Sequence, residues 1–385
     1  MPFYHRLGEL PPKRHTIFRQ KNGELYHEHL MGSMGFSGTS SLLYHVRRPT
    51  SIIASRTLRE LAHEGDPDRT LRMRHFNLGN VPESESVTLD RTLILFNNDV
   101  TVSIARPTMI DDFFYRNGKE DEVVYVSEGM GVLESQMGEL PYRPGDYIVI
   151  PRGIAHRFRY SDGPSYFLVI ASAGQIRPPN RYRNEYGQLL EHSPYCERDI
   201  RPPEALPIYD KQGEFRLVVK TNNVMTEVTL DHHPLDVVGW DGYYYPWALS
   251  IHDFEPITGS LHQPPPVHQT FASDGFVICS FVPRLFDYHP EAVPAPYNHS
   301  NVMSDEVIFY ANDEFMSRSG IKCGSLTLHP FGIPHGPHPG RAESSIGKKG
   351  TDELAVMLDT FKPLLISRQT LEMEDLEYGR SWLGE

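Results

Sequence analysis

Long apolar runs are absent from this sequence, and cysteine is scarce. No stretch of about eighteen apolar residues occurs, which excludes a membrane-spanning helix. The cysteines, Cys196, Cys279 and Cys323, have no CxxC spacing and indicate reduced, incidental thiols. The N-terminal stretch MPFYHRLGELPPKRH lacks the apolar segment of a signal peptide. We therefore predict a soluble, cytoplasmic protein with no membrane partner.

Positive charge is also in deficit, because the formal net charge is −13. Binding to nucleic-acid phosphates needs clustered lysine and arginine, so we expect no nucleic-acid partner. A hydrophobic content of 39% with 11% aromatic residues is typical of a folded globular protein. A length of 385 residues predicts two domains or one large one.

Turn-forming residues are abundant, and they separate short apolar runs. Thirty-two prolines and thirty glycines lie between segments such as DEVVYVS, DYIVIP, SYFLVIAS, FRLVVKT, GFVICSFV, DEVIFY and LAVMLDTF. Runs of this length and composition predict strands of an all-β sandwich or barrel. Helical periodicity indicates helices mainly at 51–64 and in the tail near 370–383. The proline-rich stretch 176–207 predicts a long linker over the surface.

An internal repeat is the most informative feature. YRNGKEDEVVY, from position 115, aligns without a gap with HSNVMSDEVIF, from position 299, at an offset of 184. Two later stretches, GDYIVIPRGIAH from 145 and GSLTLHPFGIPH from 324, share the pattern G-x5-P-x-G-x2-H. This pair of motifs resembles the cupin signature. The resemblance implies an all-β bicupin of two jelly-roll-like barrels with few helices.

The repeat divides the chain into two expected domains. Residues 1–220 would form an N-terminal β domain that contains a degenerate cupin at about 111–172 and the proline-rich linker. Residues 221–385 would form a C-terminal metal-binding cupin with a helical tail.

The second repeat contains a candidate metal-binding set, His299, Glu306 and His335. Adjacent strand residues face opposite sides, so Asp305 and Glu306 cannot both point into the barrel. We expect Glu306 inside, because the repeat pattern places the carboxylate just before the apolar run, as at Glu122. Two histidines and one carboxylate suit non-haem Fe(II), with about three positions open for substrate and O₂. Zinc accepts the same ligands.

The first repeat has lost part of this set. Tyr115 stands where the second repeat has His299, although Glu122 and His156 remain. Two ligands without the third make a weak site, so we expect this barrel to be a scaffold.

Several long strings, in the same order along the chain, resemble the homogentisate 1,2-dioxygenase family. They are ELPPKRHTIFR, NGELYHEHLMGSMGFSGTSSLLYH, VVGWDGYYYPW, FVPRLF, PYNHSN and IPHGP. The resemblance implies an iron-dependent enzyme, with an N-terminal β domain on a cupin-like C-terminal domain, that assembles as a homo-oligomer. It also implies that His299 and His335 are iron ligands. The family carboxylate lies six residues past the first histidine, which would be Asp305; we keep Glu306 and treat Asp305 as its rival.

The same resemblance implies roles for further side chains. The family's acid/base histidine matches His262, with His268 as the nearby alternative. His329 matches a histidine that contacts substrate, and we add Tyr310 and Tyr297 as candidate pocket phenols.

The resemblance implies O₂-dependent cleavage of homogentisate to maleylacetoacetate, a step of tyrosine and phenylalanine catabolism. The partners would be a small aromatic acid and O₂, and the cofactor Fe(II). Phe315 departs from the family, which places a substrate-contacting tyrosine nine residues after the carboxylate. Two alternatives therefore stay open: a cupin dioxygenase for another phenolic acid such as gentisate, or a metal-binding bicupin without catalysis.

Overall fold

The computed structural model describes residues 2–161 and 163–383, and its regular structure is almost entirely β. The strands are β1 (His5–Gly8), β2 (His27–Gly32), β3 (Ser40–His45), β4 (Ile52–Glu60), β5 (Arg74–Asn77), β6 (Thr92–Phe96), β7 (Val100–Ala105), β8 (Phe114–Asn117), β9 (Asp121–Glu128), β10 (Gly131–Ser135), β11 (Gly138–Tyr142), β12 (Asp146–Ile150), β13 (His156–Tyr160), β14 (Tyr166–Ser172), β15 (Ile200–Arg201), β16 (Gln212–Thr221), β17 (Val224–His232), β18 (Val237–Gly242), β19 (Trp247–Ser250), β20 (Gln269–Ala272), β21 (Phe276–Phe281), β22 (Arg284–Leu285), β23 (Asp305–Tyr310), β24 (Ser325–His329), β25 (Gly350–Thr351), β26 (Ala355–Thr360) and β27 (Leu365–Ile366). One short α-helix, α1 (Arg341–Ser345), accompanies 3-10 turns at Leu78–Asn80, Asn180–Tyr182, Glu197–Asp199, Ile251–Asp253, Pro265–His268, Arg368–Met373 and Tyr378–Arg380. The predicted all-β fold with few helices is confirmed.

Three large sheets are stacked in layers. The outer N-terminal sheet has the order β11-β10-β13-β8-β16-β17-β4, and the middle sheet has the order β15-β19-β12-β9-β14-β7-β6-β27. The third sheet, β20-β21-β26-β23-β24-β5, belongs to the C-terminal half apart from β5. A four-stranded sheet, β1-β18-β3-β2, and the small pair β22-β25 complete the fold.

The middle sheet is covered on both faces, which explains its continuous apolar runs. In β14, Phe167 packs against Phe158 of the outer sheet, with ring centroids 5.9 Å apart. The neighbouring Tyr166 points the other way and stacks on Phe309 of the third sheet at 6.1 Å. Successive side chains of a strand face opposite sides, so a strand between two layers must be apolar throughout.

The tertiary structure corrects one predicted helix. Residues 51–64 do not form a helix; β4 occupies Ile52–Glu60 and pairs with β17 at the edge of the outer sheet. Most side chains of β4 are exposed, so its sequence does not show the alternation of apolar and polar residues that marks a half-buried strand. Pairing with a distant strand outweighed the local helical pattern.

The structure also differs from the predicted helical tail and from the predicted surface linker. The tail is not a continuous helix but two 3-10 segments, Arg368–Met373 and Tyr378–Arg380. The proline-rich stretch 176–207 is anchored, because Tyr182 and Tyr195 are buried and donate hydrogen bonds to backbone carbonyls at the start of the third sheet.

Strand pairing continues across residue 220, where the sequence predicts a domain boundary. Strands β16 and β17 form a hairpin across it, and β18 and β19 also pair with N-terminal strands. The third sheet begins at Gln269. We propose that the two β units meet in the segment 251–268. Within 2–161 and 163–383, no helix has the length and apolar character needed to cross a lipid bilayer.

The two repeats occupy equivalent places in the fold. Strands β9 and β23 begin at the matching residues Asp121 and Asp305, and Tyr115 pairs with His156 as His299 pairs with His335. The glycines that open the second motif, Gly145 and Gly324, have φ values of +88° and +80°. This left-handed conformation favours glycine and sets the turn before each motif strand.

In the first repeat, an arginine binds the carboxylate that corresponds to the candidate metal ligand of the second repeat. Arg91 donates two hydrogen bonds to Glu122, at 2.8 and 3.0 Å, so a guanidinium neutralises the carboxylate. Burial alone would raise the pKa of Glu122, but the ion pair with Arg91 outweighs it and lowers that pKa to about 2. The first repeat therefore holds an internal ion pair at the position where the second repeat has Glu306.

Replacing Arg91 by methionine should destabilise the protein without changing its metal content. Glu122 would be left buried and uncompensated, which costs about 3–5 kcal/mol of unfolding free energy. Urea denaturation measures this loss. The matched control is Arg56→Met, because the Arg56 side chain is 68% exposed and its pair with Glu227 should contribute less than about 1 kcal/mol. Equal stability of the two variants would contradict the assignment.

Candidate metal centre

Three side chains converge in the C-terminal half, as the second repeat predicts. One ligand atom each from His299, Glu306 and His335 lies within 4.8 Å of the others. The Glu306 Oε2 atom is 3.6 Å from His299 Nε2 and 3.5 Å from His335 Nε2. The spacing is too long for good hydrogen bonds and suits atoms that share a central cation.

The local backbone holds the two histidines together. Their main chains exchange two hydrogen bonds, His299 N–H to His335 C=O at 2.8 Å and the reverse at 2.9 Å. His299 Nδ1 also lies 3.2 Å from the carbonyl of Tyr297, so it donates there and leaves the Nε2 lone pair free. This fixed tautomer is what a metal-binding imidazole requires.

The donor set fits a cation on its own chemistry. Burial would raise the pKa of Glu306, but the neighbouring imidazoles of His299, His329 and His335 hold it well below the usual range. Both ring nitrogens of His335 are buried without a hydrogen-bond partner. An ionised carboxylate beside an unpartnered imidazole is costly in a dry interior unless a cation binds them.

The rival carboxylate has a different task. Asp305 accepts hydrogen bonds from the backbone N–H groups of Phe331 at 2.8 Å and Leu364 at 2.7 Å. Strand alternation in β23 turns Glu306 toward the histidines and Asp305 toward the interface with the middle sheet. Asp305 therefore fixes the backbone at Phe331 and Leu364 and does not belong to the cluster of His299, Glu306 and His335.

His329 lies behind the cluster and not in the pocket. It is fully buried, its Nδ1 donates to Glu306 Oε1 at 2.7 Å, and its Nε2 accepts from the Tyr378 hydroxyl at 3.2 Å. Burial lowers the pKa of His329 to about 4, which keeps the ring neutral for both contacts. The geometry supports a residue that orients the carboxylate, where the family resemblance implied a substrate contact.

His329→Phe distinguishes the two roles. If His329 positions Glu306, metal affinity should fall about 10–100-fold, because a ligand loses its supporting hydrogen bond. Metal titration of the apoprotein measures this. A substrate-contact role would instead raise KM and leave metal affinity unchanged.

A pocket opens beside the three ligands. Its walls include His262, His268, Phe281, Arg284, His299, Glu306, Phe315, Arg318 and Glu353. Arg284 and Glu353 form a buried ion pair at 2.5 Å and so neutralise each other. Phe281 and Phe315 meet edge to face at 5.8 Å and make one wall apolar.

Two histidines of the pocket differ in basicity. His262 is partly buried, its Nε2 has no hydrogen-bond partner, and burial lowers its pKa from 6.5. His268 is more deeply buried against Phe281, and burial lowers its pKa to about 3. His262 is therefore the better candidate for accepting a proton near neutral pH.

The two candidate tyrosines do not line this pocket. Tyr310 is completely buried, shares a hydrogen bond with Thr327 at 3.0 Å, and does not line the pocket. Tyr297 is 61% exposed and contacts His262 edge to face at 5.6 Å, so it lies at the rim.

Three residues of the site were missed at the level of sequence. Asp359 pairs with Glu306 across the strands β26 and β23, and burial together with the Glu306 charge raises its pKa to about 7. Tyr378 and Arg318 come from segments with no recognisable motif. Only the aspartate gave any signal, as an acid within an otherwise apolar strand run.

Comparisons with known proteins identify relatives of this chain. A family model described as homogentisate 1,2-dioxygenase N-terminal matches residues 97–251. A Saccharolobus solfataricus protein described as a "putative dioxygenase" is 46% identical over 385 residues, 99% of each chain. The homogentisate 1,2-dioxygenase of Bradyrhizobium diazoefficiens is 27% identical over 299 residues, 74% of this chain.

The coverage of these relatives differs. The chain spans only 65% of the length of the Bradyrhizobium diazoefficiens protein. Among solved structures, a cupin 2 conserved barrel domain protein from Leptotrichia buccalis is 12% identical with a TM-score of 0.35, over 78% of this chain and 99% of that one. The full-length 46% match and the matched N-terminal model decide the assignment: the chain belongs to the homogentisate 1,2-dioxygenase family.

Proposed function

We propose that this protein is a non-haem Fe(II) enzyme that cleaves the ring of homogentisate with O₂ to give maleylacetoacetate. The observation that carries the proposal is the cluster of His299, Glu306 and His335 at the edge of an apolar pocket. Two imidazoles and one carboxylate on one side of a cation leave the other side for substrate and O₂.

Bound Fe(II) would supply the electron transfer that allows O₂ to react with an aromatic ring. The three ligand residues would hold the ion, and Phe281 and Phe315 would contact the faces or edges of the ring. In the overall reaction one ring C–C bond beside a hydroxylated carbon breaks, and both oxygen atoms enter the product.

His262 would accept a phenolic proton from the bound substrate. A neutral imidazole with an unpartnered nitrogen facing the pocket can do this, and its lowered pKa keeps it neutral at physiological pH. Burial is the main cause of the lowered pKa of His262; the charge of Asp287 raises that pKa and the charge of Arg284 lowers it further.

The test is anaerobic reconstitution of the apoprotein with Fe(II), followed by oxygen uptake and detection of the 2-oxo-enol product. We expect uptake with homogentisate equal to the amount of substrate consumed. Metal retention without uptake for any phenolic acid would support the non-catalytic binding protein and overturn the proposal.

A second candidate is a dioxygenase for another phenolic acid such as gentisate. Phe315 favours it, because the pocket wall has no hydroxyl where the family has a tyrosine. Oxygen uptake with gentisate but not with homogentisate would support this candidate. We also propose a cytoplasmic homo-oligomer, for which size-exclusion chromatography with light scattering is the test.

A further inference from the structure

Arg318 is a buried cation at the wall of the pocket. The residue is 4% exposed, and its Nη1 donates to the carbonyl of Gly336 at 2.6 Å and to that of Ser317 at 3.2 Å. Its guanidinium lies 5.5 Å from the ring of Trp382 and contacts the hydroxyl of Tyr378. The Nε–H group has no hydrogen-bond partner.

The charge of Arg318 is not neutralised by the protein. No carboxylate of residues 2–161 or 163–383 forms an ion pair with it, whereas Arg284 in the same pocket is paired with Glu353. A buried charge with only neutral partners costs free energy that a bound counter-ion would recover. A buried arginine with an unpartnered N–H group at the wall of a pocket is thus a candidate anion-binding site.

We propose that Arg318 binds the carboxylate of the substrate. The unpartnered Nε–H of the charged guanidinium can donate a charge-assisted hydrogen bond to a carboxylate, while the ligands His299 and Glu306 line the same pocket. This inference rests on the proposed function for the position of the reacting ring. It restricts the substrate to aromatic acids whose carboxylate reaches away from the ring hydroxyls.

The charges around the pocket also favour a substrate with a carboxylate. A divalent cation and Arg318 together exceed the single negative charge of Glu306, so the loaded pocket carries excess positive charge. A substrate with one carboxylate and one ionised phenol would neutralise it. An uncharged hydroquinone would not.

The first experiment compares homogentisate with its uncharged amide in the Fe(II) enzyme. We expect the wild-type protein to prefer the acid about 10–100-fold in kcat/KM, as a charge-assisted hydrogen bond contributes about 1.5–3 kcal/mol. Arg318→Met should raise KM for the acid by a similar factor and change kcat/KM for the amide less than about threefold. Arg318→Lys should recover part of the preference.

A structural role predicts a different pattern. If Arg318 only holds the Gly336 loop, Arg318→Met would weaken acid and amide turnover equally and leave the acid preference intact, which overturns the inference. Arg341→Met is the matched control, because that guanidinium binds Ser319 outside the pocket. It should keep the acid preference of the wild type.

Binding without turnover separates this inference from the proposed function. Calorimetric titration of the Zn(II)-loaded protein with phenylacetate, which has the carboxylate but no ring hydroxyl, needs no catalysis. Binding that Arg318→Met abolishes would support the anion site even if no phenol were oxidised. Equal binding by wild type and variant, or none by the wild type, would overturn it even if homogentisate were cleaved.

Discussion

Glu306→Gln should produce an inactive protein that no longer retains its metal ion. Glutamine keeps the size of the side chain but removes the only negative charge among the three ligands, and it turns the charge-assisted hydrogen bond from His329 into a weaker neutral one. Loss of a supporting residue alone costs about 10–100-fold in metal affinity, so loss of a charged ligand should exceed that. Metal analysis after dialysis and oxygen uptake measure both effects.

Asp305→Asn is the matched control, one residue away with the same change of charge. Asp305 accepts two backbone hydrogen bonds, so this variant should lose about 1–3 kcal/mol of unfolding free energy. It should keep its metal ion and its activity. A metal-free Asp305→Asn beside an active Glu306→Gln would show that the carboxylate ligand is Asp305.

His262→Gln should lower kcat/KM about 10²–10⁴-fold, the usual contribution of a positioned general base. Metal content should be unchanged, because His262 is not among the three ligands. His268→Gln is the matched control and should cost less than about tenfold, since a group with a pKa of about 3 is a weak base.

The pH profile provides an independent check on His262. The base acts in its neutral form, and burial lowers its pKa from 6.5. As pH falls, the wild-type kcat/KM should therefore stay constant down to a pH below 6.5. Protonation of His262 should reduce it only at lower pH. That acid limb should disappear in His262→Gln. A limb that persists unchanged in the variant would assign the base to another group.

Much of the site was predictable because its residues belong to a repeat. The gapless match at an offset of 184 located Glu306 and His299, and the G-x5-P-x-G-x2-H pattern located His335. Strand alternation then favoured Glu306 over Asp305, and the structure places the Glu306 carboxylate beside the two histidines. A local pattern was sufficient because both motifs lie on short strands whose facing is set by neighbouring residues.

The failed helix prediction has its cause in long-range pairing. The segment 51–64 shows a helical pattern, but β4 forms there because β17 offers a hydrogen-bonding edge from far along the chain. His329 was assigned to substrate because its position relative to His335 matches a family pattern. Only the folded chain shows Tyr378 and Glu306 on its two ring nitrogens.

The sequence by itself determined an all-β fold, the family resemblance and an internal repeat that singles out three candidate ligands, because short motifs and apolar runs encode strands locally. The tertiary structure decided what surrounds them. Arg91 neutralises Glu122, Arg318 reaches the pocket without an acidic partner, and Tyr378 supports His329. These contacts join residues from distant segments, and their energies depend on burial, which no local pattern specifies.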